Sequence, residues 1–238
     1  MHKLEIRIES LIAGAQEAEG VVVVIDVFRC FTTEAVAFAN GAKEIILVAE
    51  IEEAFELKRK GAGDVLMGEV GGKRPEGFDF GNSPFELKDV DLTGKTIIQS
   101  TRAGTVGVTA ASNADVIYGG SFAVADATVT NILSTKPEIV TLVAMGWEGR
   151  IRADEDEQCA LYLRNTMQGR KPNHDAVRSL VISGEESQKY EIPTYPQWPI
   201  EDREMALDIN SHPFALMIKK EDGYFVSRPE NIVNNRSL

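Results

Sequence analysis

Long apolar runs are missing from this sequence. No hydrophobic stretch among its 238 residues approaches the roughly 20 residues that a helix needs to cross a bilayer. The opening residues MHKLEIRIES alternate charged and aliphatic side chains, whereas a signal peptide carries an uninterrupted apolar core. We therefore predict a soluble cytoplasmic protein that has no membrane partner.

Cysteine and histidine are also scarce. The two cysteines, Cys30 and Cys159, lie far apart and belong to no CxxC pair, and the three histidines show no spacing of a catalytic triad or a metal site. This scarcity argues against zinc. We expect both cysteines to be reduced structural thiols.

Basic residues are outnumbered by acidic ones. With 25 Lys and Arg against 37 Asp and Glu, the net charge of -12 would repel a nucleic-acid backbone, so we expect no nucleic-acid partner. A locally basic pocket for one phosphate ester is still compatible with this charge. The sequence does not determine the oligomeric state and leaves a homo-oligomer open.

Several phosphate-binding and phosphatase motifs are absent as well. The sequence contains neither GxxxxGK[ST] nor a strand followed by GxGxxG, which are two common nucleotide-binding loops. Phosphatases with an aspartate nucleophile need a second acid two residues later, but Phe28 occupies that position after Asp26. Cysteine phosphatases need an arginine six residues after the nucleophile, but Val36 occupies that position after Cys30.

Apolar runs typical of strands alternate with segments typical of helices from about residue 20 to residue 168. This repeated βα order predicts a three-layer α/β/α fold with a largely parallel or mixed sheet. Near the end, FALMIKK and GYFVSRP flank Glu221-Asp222-Gly223 and predict a C-terminal β-hairpin. We expect a single compact α/β unit over residues 1–238, with 1–168 as βα core and 169–238 as C-terminal elaboration. Two closely packed lobes are the alternative.

Charged and hydroxyl side chains follow the most apolar run. In VVVVIDVFRCFTT, residues 21–33, four valines and an isoleucine lead into Asp26, Arg29, Thr32 and Thr33. A continuous β-branched run fits a strand that is buried on both faces, and ligands of parallel sheets gather where such strands end. We expect Thr32 or Thr33 to cap the helix that follows.

Arg29 and Arg102 both follow predicted strand ends and precede predicted helix starts. Arginine supplies a bidentate fork and a helix start supplies free N–H groups, a combination that favours a tetrahedral oxyanion. The alternative is that each arginine forms a surface salt bridge.

Carboxylates are concentrated at the same predicted positions. Asp26 and Glu69 both end apolar strands, where their oxygens are able to hold Mg²⁺ together with water and substrate phosphate oxygens. A capped turn is the alternative for Glu69. In the run ADEDE, complementing the helix macrodipole is a strong explanation for Asp154 and a weaker one for Glu155 and Asp156, which follow a glycine-rich strand exit.

A long irregular segment between Val70 and Leu87 interrupts the βα order and is rich in glycine and proline. Loops of this length inside a compact domain are usually functional. Gly81, Asn82 and Ser83 either order this loop over a ligand or form an Asx-type turn.

Four motifs together resemble one known family. DVFRCFTTEAVAFANGAKEI, GFDFGNSPFEL, GKTIIQSTRAGT and the stretch around Glu155-Asp156-Cys159-Ala160 are similar, in this order, to the 2-phosphosulfolactate phosphatase family. The resemblance covers most of residues 20–165, and the tail matches loosely. It implies a Mg²⁺-dependent phosphatase that hydrolyses 2-phospho-3-sulfolactate to 3-sulfolactate and phosphate, a step toward coenzyme M.

The resemblance also implies a set of site residues. They are Asp26, Arg29, Thr32, Thr33, Glu69, Gly81, Asn82, Ser83, Thr101, Arg102, Gly104, Thr105, Glu155 and Asp156. Within this set we predict that Asp26 and Glu69 are the carboxylates on the metal side. Glu155 or Asp156 is predicted to be a further metal ligand or a base.

The anionic groups of a small phosphoester substrate are predicted to be held by Arg29, Arg102 and the turn at Gly104. We expect direct attack of water on phosphorus, and a phosphoaspartyl intermediate on Asp26 is the alternative. The pair Cys30-Phe31 departs from the small residues expected after Arg29, so we expect Phe31 to alter the size of the pocket.

Two other functions stay open. Asp26 at a strand end and Cys159 in a helix loosely resemble isochorismatase-like cysteine hydrolases. A non-catalytic anion-binding protein is the second alternative. A panel of phosphoesters, with and without Mg²⁺, separates these functions, because a binding protein would release no phosphate from any of them.

Overall fold

A computed structural model describes residues 4–232 of the chain. Within that range the strands are β1 (Glu5–Ser10), β2 (Gly20–Ile25), β3 (Glu44–Val48), β4 (Val65–Gly68), β5 (Thr96–Ser100), β6 (Ala114–Gly120), β7 (Ile139–Ala144), β8 (Phe214–Glu221) and β9 (Tyr224–Asn231). All nine belong to one sheet, in the order β1-β7-β2-β6-β8-β9-β3-β5-β4.

Helices lie between most of these strands. They are α1 (Leu11–Glu17), α2 (Cys30–Ala39), α3 (Ile51–Arg59), α4 (Pro84–Leu87), α5 (Gly104–Ala110), α6 (Ala125–Ser134), α7 (Asp154–Met167), α8 (His174–Ile182), α9 (Glu185–Gln188) and α10 (Ile200–Ala206). No helix in the described part of the chain combines the length and the apolar character that crossing a bilayer requires.

The sheet contains two parallel groups joined by an antiparallel hairpin. One group is β1-β7-β2-β6 and the other is β3-β5-β4. The hairpin β8-β9 lies between them, with β8 antiparallel to β6 and β9 antiparallel to β3. The predicted mixed α/β sheet and C-terminal hairpin are therefore confirmed, although the hairpin occupies the middle of the sheet. The division of the chain into domains stays a prediction.

Strand β2 is buried because helices cover both of its faces. Val22 and Val24 belong to a core cluster with residues of α2 and α5, whereas Val21, Val23 and Ile25 pack with residues of α6 and α7. This two-sided burial explains why the strand has no polar side chain at alternate positions.

The start of α2 differs from the prediction. Arg29 is the N-cap residue, and no side chain caps the helix. The hydroxyls of Thr32 and Thr33 lie inside the first turn and donate to the carbonyl oxygens of Val27 and Arg29, each at 2.9 Å. The prediction that one of these threonines caps the helix is wrong, because the helix begins earlier, at Cys30.

The carboxyl ends of β2 and β5 meet, although the two parallel groups of strands to which they belong run in opposite directions in the sheet. Neighbouring strands are rotated by about 20–25° relative to each other, and this rotation accumulates across the hairpin that separates the groups. Gly104, which follows β5, donates its N–H to Asp26 Oδ2, which follows β2, at 2.8 Å. This meeting point forms the candidate site.

Candidate active site

A small cavity of about 30 Å³ lies at the meeting point of these strand ends. Its walls are formed by Asp26, Phe28, Arg29, Glu69, Gly72, Asn82, Arg102, Ala103, Gly146, Trp147, Glu148 and Trp198. Five of the residues that the sequence singles out therefore line one space, together with three aromatic residues that it does not.

Asp26 is the most tightly held carboxylate of the cavity wall. It follows β2, and its Oδ1 and Oδ2 accept the main-chain N–H groups of Cys30, at 3.2 Å, and Gly104, at 2.8 Å. Burial raises the pKa of Asp26 to about 6, and the negative charge of Glu69 acts in the same direction, while the two amide hydrogen bonds oppose the shift. The carboxylate is thus fixed in orientation, and its protonation state changes around pH 6.

Glu69 joins three segments around the cavity. Its Oε1 accepts the N–H of Arg102 at 2.8 Å, and its Oε2 accepts the N–H of Gly72 at 2.7 Å. This carboxylate therefore ties the end of β4 to the exit of β5 and to the irregular loop. Glu69 therefore caps a turn, as the alternative prediction stated, and it also lines the same cavity as Asp26.

Gly104 has no room for a side chain. An added Cβ would lie 2.6 Å from Cys30 Sγ, closer than real Cβ contacts, and 3.0 Å from Asp26 Oδ2. The absence of a side chain lets the Gly104 amide reach Asp26. Because Asp26 uses this N–H, the anion-holding role predicted for the Gly104 turn has to rest on other groups.

Arg29 forms a buried ion pair. Its Nη1 lies 2.7 Å from Asp202 Oδ2, and both side chains are almost fully buried. The same nitrogen donates to the carbonyl oxygen of Gln197 at 2.8 Å, and Nη2 donates to that of Gly72 at 3.1 Å. The ion pair of Arg29 is therefore not at the surface. Arg29 lines the cavity, and its guanidinium is fixed by Asp202 and by two carbonyl oxygens.

Arg102 differs from Arg29. Its side chain is 30% exposed, and its Nη1 lies 3.6 Å from Glu50 Oε2. Its main-chain N–H is fixed by Glu69, but the guanidinium has one long hydrogen bond, 3.4 Å, to the carbonyl oxygen of Ala49. The two arginines thus line the same cavity with different freedom.

Asp156 holds two strand exits in place. Its Oδ1 accepts the N–H of Val27 and its Oδ2 accepts the N–H of Gly146, each at 2.8 Å. Burial raises the pKa of Asp156 well above its ordinary value, and the charge of Asp26 adds to the shift. Burial likewise raises the pKa of Glu155, with a contribution from Asp156. Neither side chain lines the cavity, so their role as ligand or base stays a prediction.

Several predicted substrate-binding residues hold the main chain in the structure. The Thr105 hydroxyl accepts the N–H of Thr101 at 2.9 Å, and the Thr101 hydroxyl accepts the N–H of Thr105 at 3.2 Å. The Ser83 hydroxyl donates to Asp202 Oδ1 at 2.7 Å, and the Gly81 N–H donates to Glu86 Oε2 of α4 at 2.8 Å. Among the predicted loop residues, Asn82 lines the cavity. The substrate-binding roles of Thr32, Thr33, Thr101 and Thr105 stay predictions.

Both cysteines are buried, and burial raises the pKa of each thiol well above its ordinary value. A protonated thiol is a poor nucleophile, so this environment disfavours a cysteine hydrolase. Phe31 is fully buried and packs against Gly119, where an added Cβ would lie 2.4 Å from the ring. The expectation that Phe31 alters the pocket is not met, because this ring points into the core and lines no part of the cavity.

The sequence does not single out Asp202, Trp147 or Trp198. Trp198 lies in the proline-interrupted stretch before α10, and Trp147 follows β7. Their ring centroids are 6.0 Å apart in an edge-to-face arrangement. No periodic pattern marks either residue, so this aromatic wall is visible only in three dimensions.

Comparison with known proteins gives a family. The model of a family described as 2-phosphosulpholactate phosphatase matches residues 7–192. A protein of Bacillus subtilis named probable 2-phosphosulfolactate phosphatase is 36% identical over 149 residues, which cover 62% of this chain and 64% of that protein. Proteins of the same name from Carboxydothermus hydrogenoformans and Caldicellulosiruptor saccharolyticus are 44% identical over 51% of this chain and 50% of theirs, and 40% identical over 59% of both. The chain thus spans about half to two thirds of these relatives.

Proposed function

The chain belongs to the 2-phosphosulpholactate phosphatase family, and from this premise we propose that it is a phosphoric monoester hydrolase. Its proposed substrate is 2-phospho-3-sulfolactate or a similar small anionic phosphoester, which it cleaves to the alcohol and phosphate. The observation that carries this proposal is the single cavity lined by Asp26, Glu69, Arg29 and Arg102. Action in the cytoplasm and a place in coenzyme M synthesis stay predictions from the sequence.

Mg²⁺ is the proposed cofactor, and the donor set fits it. Asp26 and Glu69 present hard oxygen donors to one cavity, and the mutual repulsion of their charges contributes to the raised pKa of Asp26. Within residues 4–232 no group of three or more His, Cys, Asp or Glu residues is placed to hold a metal. A site with two carboxylates suits Mg²⁺, which completes its shell with water and phosphate oxygens. Bound there, the ion would supply positive charge that stabilises the phosphate oxygens.

The chain's own groups divide the remaining work. Arg29 and Arg102 donate hydrogen bonds to the anionic oxygens of the substrate and stabilise charge that develops on them. Asp26, which is ionised above its pKa of about 6, is the proposed acceptor of the proton of an attacking water. Trp147 and Trp198 cover the cavity and limit the entry of other water molecules.

Phosphate release from a panel of small phosphoesters tests this proposal. Purified protein is assayed with each ester in the presence of Mg²⁺ and again after chelation by EDTA. We expect release from 2-phospho-3-sulfolactate that depends on Mg²⁺. No release from any ester would overturn the phosphatase proposal, and release that survives chelation would overturn the proposed cofactor.

A further inference from the structure

Asp202 connects the C-terminal part of the chain to the candidate site. It lies in α10 with its side chain fully buried, ten residues beyond the region that the family model matches. Its Oδ2 accepts from Arg29 Nη1 at 2.7 Å, across 173 residues of sequence. We infer that Asp202 is a positioning residue, which orients Arg29 toward an anionic group of the substrate. This inference rests on the proposed phosphatase function.

The donor count of Arg29 supports an oriented fork. A guanidinium has five N–H donors. Nη1 uses its two on Asp202 and the carbonyl oxygen of Gln197, and Nη2 uses one on the carbonyl oxygen of Gly72. The Nε–H and one Nη2–H of Arg29 have no acceptor in the described residues, and Arg29 is part of the cavity wall. Two donors are therefore left for a ligand oxyanion.

The other oxygen of Asp202 reaches the irregular loop. Oδ1 accepts the Ser83 hydroxyl at 2.7 Å and the Phe85 N–H at 3.0 Å. Asn82, the residue beside Ser83, lines the cavity. One carboxylate thus fixes the arginine and the loop in a single arrangement, since its lone pairs are shared between them.

A competing role makes the opposite prediction. If Asp202 merely neutralised Arg29, removing its charge would free the guanidinium and strengthen anion binding. If Asp202 positions Arg29, the same change lets the guanidinium turn away and weakens anion binding, because a bidentate contact depends on the direction of the fork. The sign of the change in affinity therefore distinguishes the two roles.

Four variants test the inference. Asp202→Asn removes the charge and one acceptor oxygen, and Asp202→Glu keeps both. Ser83→Ala removes the hydroxyl contact of Asp202 with the loop, together with the cap that Ser83 gives to the Glu86 N–H of α4. Glu201→Gln is the matched control, because Glu201 is the exposed acid beside Asp202 in the first turn of α10. Steady-state kinetics give KM and kcat, calorimetric titration with inorganic phosphate in the presence of Mg²⁺ gives an affinity, and circular dichroism confirms folding.

We expect Asp202→Asn to raise KM and to weaken phosphate binding by about tenfold each, with a smaller change in kcat. Asp202→Glu should recover part of the affinity, Ser83→Ala should lose less, and Glu201→Gln should match wild type. Unchanged or tighter phosphate binding in Asp202→Asn would overturn the inference. If that variant does not fold, wild-type phosphate affinity in both Asp202→Glu and Ser83→Ala overturns it instead.

The two proposals fail in different ways. Wild type that releases no phosphate from any ester overturns the phosphatase proposal. Phosphate binding that is lost in Asp202→Asn would still support the positioning role in that case, because the titration does not require turnover.

Discussion

The two sides of the cavity are built differently. On the strand-end side, Asp26 and Glu69 line the cavity, and Asp156 holds the N–H of the lining residue Gly146. Every oxygen of these three carboxylates accepts a main-chain N–H. On the C-terminal side, Trp198 lines the cavity with its ring, and Asp202 pairs with the side chains of Arg29 and Ser83 as well as with the Phe85 N–H. The family match ends at residue 192, so it includes the first side and excludes the second. We infer that main-chain N–H groups fix the carboxylates of the strand-end side, while the residues of the C-terminal side affect the affinity for the proposed substrate.

The largest effect is expected from Asp26→Asn. The amide keeps the size of the carboxylate but lacks its charge and its basicity, so phosphate release should fall by at least about 10³-fold. The fold should persist, because burial already disfavours the charge of Asp26, although the amide accepts only one of the two main-chain N–H groups that the carboxylate accepts. The exposed Asp89→Asn is the matched control, and turnover assays with circular dichroism check both variants. Wild-type turnover in Asp26→Asn would make Asp26 a structural residue.

Gly104→Ala tests whether the backbone fixes Asp26. The new methyl group would press on Cys30 Sγ and Asp26 Oδ2, so we expect about a 10²-fold loss of activity and a destabilisation of about 1–3 kcal/mol. Gly61→Ala, at an open position where φ is +75°, should lose stability through backbone strain and keep its activity, so it separates destabilisation from an effect on the site. Full activity of Gly104→Ala in a turnover assay would show that the Asp26 geometry tolerates displacement.

Trp198→Ala is expected to act on binding. Removing the ring opens the wall that packs against Trp147 and covers Gly72, so kcat/KM should fall by about tenfold, mainly through KM. Trp198→Phe, which keeps an aromatic ring, should retain more of the activity. A loss in kcat comparable to that of Asp26→Asn would contradict the inference that the strand-end side acts in catalysis and the C-terminal side in binding.

The smallest effect concerns stability near the strand-end side. Glu34 in α2 is fully buried, its Oε2 has no hydrogen-bond partner among residues 4–232, and burial raises its pKa from 4.5 to about 8. The stability linked to its proton is therefore complete below pH 4.5 and is lost as the pH rises through about 8. Glu34→Gln, which stays neutral, should raise the unfolding free energy by on the order of 1–3 kcal/mol near pH 8.5 and by less near pH 5.

Urea denaturation of wild type and Glu34→Gln across this pH range provides the measurement. The exposed Glu52→Gln, in the first turn of α3, serves as the control for loss of an acid. A stability difference that does not change with pH would show that Glu34 does not titrate in this range.

The sequence pattern was sufficient for the strand-end side. A run of buried valines that ends in Asp26 and Arg29 places these residues at a strand exit, and the structure lines one cavity with both. The pattern was not sufficient for Asp202 and Trp198, because their contacts join distant segments and no periodicity marks them. Nor does it show that β8-β9 lies in the middle of the sheet, since strand order depends on long-range pairing. The uncapped helix α1 also escaped prediction.

The central claim is that Asp26 is a carboxylate held in place by two amides, beside which water attacks phosphorus directly. The stereochemical course at phosphorus tests this claim. A substrate whose phosphoryl group is made chiral with oxygen isotopes and sulfur is hydrolysed in labelled water, and the configuration of the released thiophosphate is determined by ³¹P NMR. A single displacement by water predicts inversion at phosphorus. Retention would require two displacements through a phosphoenzyme and would contradict the account.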